Sequence, residues 1–350
     1  MSYRRTSRTQ VSTRTQTSTL SSVSGTGIVT PTFNILPPVQ YNRKDNNVPR
    51  LQPVGHHNHH SRSSWLAHDL HRSYHSTTQM IKNQAYRPLV KINPGLDLVL
   101  ITGGASGLGY QMALLFHQKG FEVIVLDIHV PERHSRIPKV TYYQCDVSNI
   151  EEISAIAKTI RDTHGTVTVL VNNAGVMKGA KKTVDLGYTE MRTTLDINLL
   201  ASFLTVRTFV PDMVSRHRGY VVTIGSVLGY VSPAKLSLYG ASKAGLIALH
   251  ESLTHELGPP NFPETGVRTL LVSPGQLKTS LFMDVRSPYV FIAPVLEPSR
   301  AARAVVEALE KGSRGELKLP LYVNGTTFLR TLPHQLATAT RALTGIDSSI

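Results

Sequence analysis

The chain changes texture near residue 94. Beyond that point, short apolar runs alternate with segments whose apolar residues recur every three or four positions. The runs at Leu98–Thr102, Glu122–Asp127, Val140–Gln144, Val167–Asn172, Tyr220–Gly225, Val267–Ser273 and Glu316–Tyr322 are rich in Val, Ile and Leu and apolar on both faces. Strands buried in a parallel sheet carry that pattern. Helical spacing fills the gaps, near 108–119, 150–163, 189–216, 238–257 and 298–311. The alternation predicts an α/β fold: a Rossmann-type doubly wound, seven-stranded parallel sheet with helices on both faces. Ligands of such sheets bind at the carboxyl ends of the strands, where the strand order reverses.

Before residue 94 the pattern fails. Residues 1–62 are rich in Ser, Thr, Arg, Asn and Pro and poor in large apolar residues. They hold too little apolar surface to offset the entropy of ordering, so a disordered basic segment is expected. Residues 63–93 read as an amphipathic helical connector. Leu66, Leu70, Tyr74 and Ile81 lie at near-helical spacing beside Trp65, with His68, His71, Arg72 and Lys82 elsewhere around the helix. Such a helix lies on a membrane surface or packs on the main domain; the sequence leaves both open. The catalytic domain is expected over 94–325. Residues 326–350 supply a C-terminal amphipathic helix and tail, with Leu332, Leu336, Ala339 and Leu343 in helical register around Pro333. Membrane docking, pocket cover and subunit contact are all open for that helix.

Charge sharpens the division. Residues 1–93 carry 12 Lys/Arg against Asp45 and Asp69, whereas 94–350 carry 25 against 21 acids. The basic balance therefore belongs to the N-terminal segment. No aromatic residues interleave with it as a single-strand binder needs, so nucleic acid is not an expected partner. Arg4, Arg5, Arg8 and Arg14 with no acid nearby suit a mitochondrial presequence or a plain basic tail. His56, His57, His59 and His60 read as low-complexity sequence rather than a metal site. Cys145 is the one cysteine, which excludes an intrachain disulfide and fits an intracellular, reducing location. No apolar run approaches the roughly 20 residues of a bilayer span. The expected location is cytoplasmic or peripheral to a membrane or lipid droplet.

The first strand runs into Thr102-Gly103-Gly104-Ala105-Ser106-Gly107-Leu108-Gly109. Glycines after a strand and at the start of a helix permit a tight turn and let backbone amides approach a pyrophosphate. Asp127 closes the second strand about 20 positions on, placed to accept hydrogen bonds from the adenosine ribose of a dinucleotide. A carboxylate there repels an extra phosphate, so NAD is expected over NADP. Cys145-Asp146-Val147 closes the third strand; Asp146 suits an adenine amino group or a helix N-terminus. Asn172-Asn173-Ala174-Gly175 closes the fourth, letting backbone lie close to a cofactor or making an ordinary turn.

Oxidising an alcohol needs a base for the hydroxyl proton. A free phenol, with a pKa of about 10, is a poor one at neutral pH. A fixed cation beside it favours the phenolate. In Tyr239-Gly240-Ala241-Ser242-Lys243 the helical i, i+4 spacing supplies that pair. Ser226 closes the fifth strand and can bond the substrate oxygen. Asn198 lies in the long helix after the fourth strand, either holding a proton-relaying water near Lys243 or packing as a buried amide.

Taken together and in this order, these motifs resemble the short-chain dehydrogenases/reductases over about residues 94–322. The resemblance implies a catalytic tetrad of Asn198, Ser226, Tyr239 and Lys243. It also implies that Pro274, Gly275 and Thr279 contact the nicotinamide carboxamide. Leu170–Met177, Gly219–Tyr230 and Glu316–Tyr322 are similar to the retinol, hydroxysteroid and fatty-alcohol dehydrogenase branch. By the same resemblance, a homodimer or homotetramer and a peripheral membrane contact are expected. Specificity is expected in Ser280–Pro298, whose apolar content points to a lipophilic substrate or a lid needing cover. Two alternatives stand beside a lipophilic-alcohol dehydrogenase: an NADPH-dependent ketone reductase, and a non-catalytic NAD(P)-binding regulatory or scaffold protein.

Overall fold

A computed structural model describes residues 91–258, 265–282 and 293–348. The expectations for 1–62, for the helix at 64–82 and for most of the apolar segment after Ser280 lie outside the described residues.

Seven strands form one parallel sheet: β1 Leu98–Thr102, β2 Glu122–Asp127, β3 Thr141–Gln144, β4 Val167–Asn172, β5 Gly219–Ile224, β6 Val267–Pro274 and β7 Gly315–Leu319. Their order is β3-β2-β1-β4-β5-β6-β7. The chain winds outward from β1 through β2 and β3, then crosses back and winds the other way from β4. The crevice above β1 and β4 is the reversal point where such sheets bind ligands. Every residue of β1, β4 and β6 is buried, which is why these runs read as continuously apolar.

The helices divide between the faces. Helices α1 (Gly107–Gln118) and α5 (Pro298–Glu310) share one core with the sheet, through Met112, Phe116, Val305 and Leu309. Helices α2 (Ile150–Thr163), α3 (Tyr188–Ser215) and α4 (Ser237–Glu256) cover the other, through Ile153, Ile160, Phe209, Met213 and Leu253. Local chemistry sets the ends. The Asn149 side chain accepts the Glu151 and Glu152 amides at 3.0 and 3.2 Å, capping α2.

Three expectations change. Helix α3 is interrupted by a π-helical turn, Asp196–Leu200, which apolar periodicity does not reveal. By length and hydropathy α3 also passes as a membrane-spanning helix, against the expectation of none. Its buried Asn198, Thr205 and Phe209 make it a core helix instead. The last strand ends at Leu319 rather than Tyr322, because Pro320 offers no amide to the ladder. The C-terminal helix α6 (His334–Thr344) buries none of its residues; Leu336 and Leu343 are 57% and 79% exposed.

Candidate active site

The turn after β1 is built by backbone proximity. Gly103 has φ +63°, and a Cβ there would stand 2.8 Å from the Ala174 Cα. A Cβ on Gly109 would meet the Gly103 carbonyl oxygen at 2.2 Å. Only glycine fits either place. The loop is fixed by its neighbour: Asn173 Nδ2 donates to the carbonyls of Thr102 and Gly103, both at 2.9 Å. Thr102 Oγ1 accepts the amides of Asn173 and Ala174 at 3.0 and 3.1 Å. Helix α1 starts with no side-chain cap and no acid in its first turn, so its positive end faces the cavity uncompensated.

Asp127 is held from two sides. Its carboxylate accepts the Ala105 and His129 amides, both at 3.0 Å, which tie it to the glycine turn. Asp146 Oδ1 accepts the Ser148 amide at 2.9 Å and its hydroxyl at 2.7 Å. It therefore closes a local turn while also facing the cavity. The Cys145 thiol beside it is buried, and burial pushes its pKa up to about 12, leaving it unreactive.

Three of the four tetrad residues meet where β5 and α4 face each other. Ser226, at the end of β5, hydrogen-bonds Tyr239 and accepts the Leu228 amide at 3.1 Å. Tyr239 is 3% exposed, with Phe282 against its ring edge at 5.9 Å between centroids. Lys243 Nζ lies 5.7 Å from the Tyr239 ring centre and donates to the Ile224 carbonyl at 2.9 Å. The electrostatics differ from the sequence expectation. Burial pushes the Tyr239 phenol above its ordinary pKa, and only the Ser226 hydrogen bond opposes it. Burial also pulls Lys243 down to about 8, so the ammonium itself is destabilised here.

Asn198 takes the second of its two expected roles. Its Oδ1 accepts the Val176 amide at 2.7 Å; its Nδ2 donates to the Val176 carbonyl at 2.9 Å and to Ser242 Oγ at 3.0 Å. The side chain is thus a clasp between the β4 loop and α4, set in the π turn. Its oxygen and the Lys243 ammonium both face the Cα of Gly175.

A cavity of about 340 Å³ runs from the Asp127 end to Tyr239. Gly103, Ser106, Gly107, Leu108, Asp127, Asp146, Val147, Asn173, Ala174, Gly175, Ser226, Tyr239, Lys243, Pro274, Gly275 and Thr279 line it, as the sequence predicts. Thr102, Gly109 and Asn198 do not line it; each acts behind the wall, through the contacts above. Sequence reading missed Ile128, His129, Val176, Ile197 and Leu277, which line the cavity as neighbours of recognised motif residues. It also missed Tyr322, whose hydroxyl occupies the space a Cβ on Gly275 would need. At the substrate end, Leu281 and Phe282 line the cavity. The two ends of the apolar segment are pinned together, Leu296 donating to Gln276 at 2.8 Å and accepting from Lys278 at 3.0 Å.

The geometry has relatives. The short chain dehydrogenase family model matches residues 97–289. An uncharacterized oxidoreductase of Saccharomyces cerevisiae is 36% identical over 71% of this chain and 82% of its own. Epidermal retinol dehydrogenase 2 of Mus musculus is 29% identical over 67% of this chain and 78% of its own. Among solved structures, a short-chain dehydrogenase from Streptomyces avermitilis aligns with a TM-score of 0.57 at 25% identity, covering 70% of this chain and 96% of its own.

Proposed function

The chain belongs to the short-chain dehydrogenase/reductase family and is an NAD(P)-dependent oxidoreductase, and we propose that it oxidises a lipophilic alcohol with NAD, Tyr239 serving as acid/base. The observation that carries this is the meeting of Ser226, Tyr239 and Lys243 at one end of a cavity whose other end is the glycine turn. The cradle fits a dinucleotide. The amides of the α1 start and the Gly103 turn face the pyrophosphate, Asp127 the adenosine ribose, and Pro274, Gly275 and Thr279 the nicotinamide. When bound, the oxidised nicotinamide supplies a hydride acceptor and a positive charge close to the phenol.

The protein's part is proton handling. The Tyr239 phenolate takes the substrate hydroxyl proton as hydride leaves the carbinol carbon; in reduction the phenol returns it. Ser226 donates a hydrogen bond to the same substrate oxygen. Lys243 keeps a cation beside Tyr239, and Asn198 holds Val176 and Ser242 so that the site keeps its spacing. Burial alone opposes the phenolate, so the charge beside it decides whether Tyr239 works as a base at neutral pH.

NAD rather than NADP is supported by the rigidly held Asp127 carboxylate, which would face the extra phosphate. A lipophilic substrate is supported by Leu277, Leu281 and Phe282 around Tyr239 and by the retinol dehydrogenase among the relatives. The exposed row Leu195, Leu200 and Phe203 on α3 supports a homodimer, checked by sedimentation.

The test is steady-state oxidation of all-trans-retinol, estradiol and 1-dodecanol, and reduction of their carbonyl products, with each cofactor. The expected result is NAD-linked oxidation of at least one alcohol, abolished in Tyr239→Phe. Unaltered turnover in Tyr239→Phe, or no turnover of any of the three in either direction, would reject the proposal. Faster ketone reduction with NADPH would favour the reductase instead.

A further inference from the structure

The chain between Ser226 and Tyr239 is held by residues about a hundred positions further on. Arg330 Nε donates to the Tyr230 carbonyl at 2.6 Å and its Nη2 to the Gly229 carbonyl at 2.9 Å. Arg341 Nη2 donates to the Ser232 carbonyl at 2.9 Å. Asp347, paired with Arg341, accepts the Ala234 amide at 2.9 Å. The Tyr230 hydroxyl donates to Glu316 on β7, which also accepts from Ser273 Oγ at 2.8 Å and pairs with Lys318 at 3.0 Å.

The residues so gripped press on α4 where it matters. A Cβ on Gly229 would stand 3.0 Å from the Lys243 backbone carbonyl. The Ser232 side chain fills the space beside Gly240, the neighbour of Tyr239. Helix α6, meanwhile, buries no residue of its own. Its attachment runs through these polar contacts rather than through an apolar face.

We propose that Arg330 and Arg341 are positioning residues: the segment after β7 braces the 229–234 loop against α4 and so fixes Ser226 relative to Tyr239 and Lys243. Two forked guanidinium groups suit the task, because each fixes direction as well as distance. The brace rests on the acid/base role of Tyr239 set out above.

The experiment uses full-length Arg330→Ala, Arg341→Ala and Arg330→Lys, with Tyr239→Phe as reference. Turnover is followed on whichever of the three alcohols the wild type oxidises fastest. Loosening the loop should lower kcat roughly 10- to 100-fold, the scale of a small misplacement of reacting groups. NAD affinity should stay within about twofold, since no cradle contact involves 229–234. The rising limb of log kcat against pH should move to higher pH as Ser226 loses its grip on Tyr239. Amide hydrogen exchange should speed up across 227–238 and not in β1 or β4. Arg330→Lys should recover part of kcat, one ammonium being a poor substitute for a fork.

Wild-type kcat and pH profile in both alanine variants overturn the brace, as does unchanged exchange at 227–238. An equal loss of NAD affinity also overturns it, since that marks general loosening. Retained turnover in Tyr239→Phe instead removes the acid/base role, a separate failure.

Discussion

The two halves of the sheet hold their functional groups differently. Around β1, β2 and β4, the key groups are set by backbone and short side chains at the strand ends. Thr102, Asn173 and the amides of Ala105 and His129 do the holding, each within a turn or at an adjacent strand. Around β5 and α4, the catalytic loop is held by long side chains from far along the chain, Arg330, Arg341 and Glu316. A cofactor common to many enzymes needs one cradle, written into short motifs. A loop that shapes an individual substrate site can be secured by whatever the later chain supplies.

The sharpest separation of the halves is Tyr239→Phe. Losing a general acid/base should lower kcat by about 10³-fold while NAD binding, read by fluorescence titration, stays unchanged. A matching loss of NAD affinity would mean the halves are not separable.

A second contrast is acid sensitivity. His250 on α4 is buried, bonded to Thr223 Oγ1 at 3.0 Å, and burial pulls its pKa from 6.5 down to about 4. Its folded pKa lies below its unfolded one. Stability is therefore complete above pH 6.5 and declines as pH falls toward 4, by about 3 kcal/mol in all. Urea unfolding of wild type and His250→Gln at pH 7 and 5 checks this; the variant should lose less on acidification.

Gly103→Ala tests the cofactor half in the same units. Its positive φ and the Ala174 backbone should cost about 2 kcal/mol of stability and weaken NAD binding, with any residual kcat at saturating NAD largely kept. The smallest effect belongs to Asp127→Ser. Relieving the repulsion should raise NADP affinity relative to NAD by roughly tenfold, about 1.4 kcal/mol, without altering kcat.

The sequence made the first half legible because its constraints are local. Gly103 and Gly109 are needed for contacts within one turn and its neighbour, and the buried strands show as unbroken apolar runs. Strand β7 was misjudged at its end because Leu321 and Tyr322 extend the apolar run past Pro320. The π turn at Asp196–Leu200 leaves no periodic trace, so Asn198 was visible as a residue but not as a clasp. Helix α6 shows the limit most plainly. Leu336, Ala339 and Leu343 suggest a buried stripe, yet Arg341 is what secures the helix, through partners over a hundred positions upstream. Apolar spacing does not reveal hydrogen bonds across that separation.

Those late contacts also order events during synthesis. The ribosome emits β1 through α4, with the dinucleotide cradle and all four tetrad residues, before Arg330 and Arg341 exist. The hydrogen bonds to Gly229, Tyr230 and Ser232 can form only once those arginines have emerged. A nascent chain can thus gain the means to hold its cofactor well before its catalytic loop is secured.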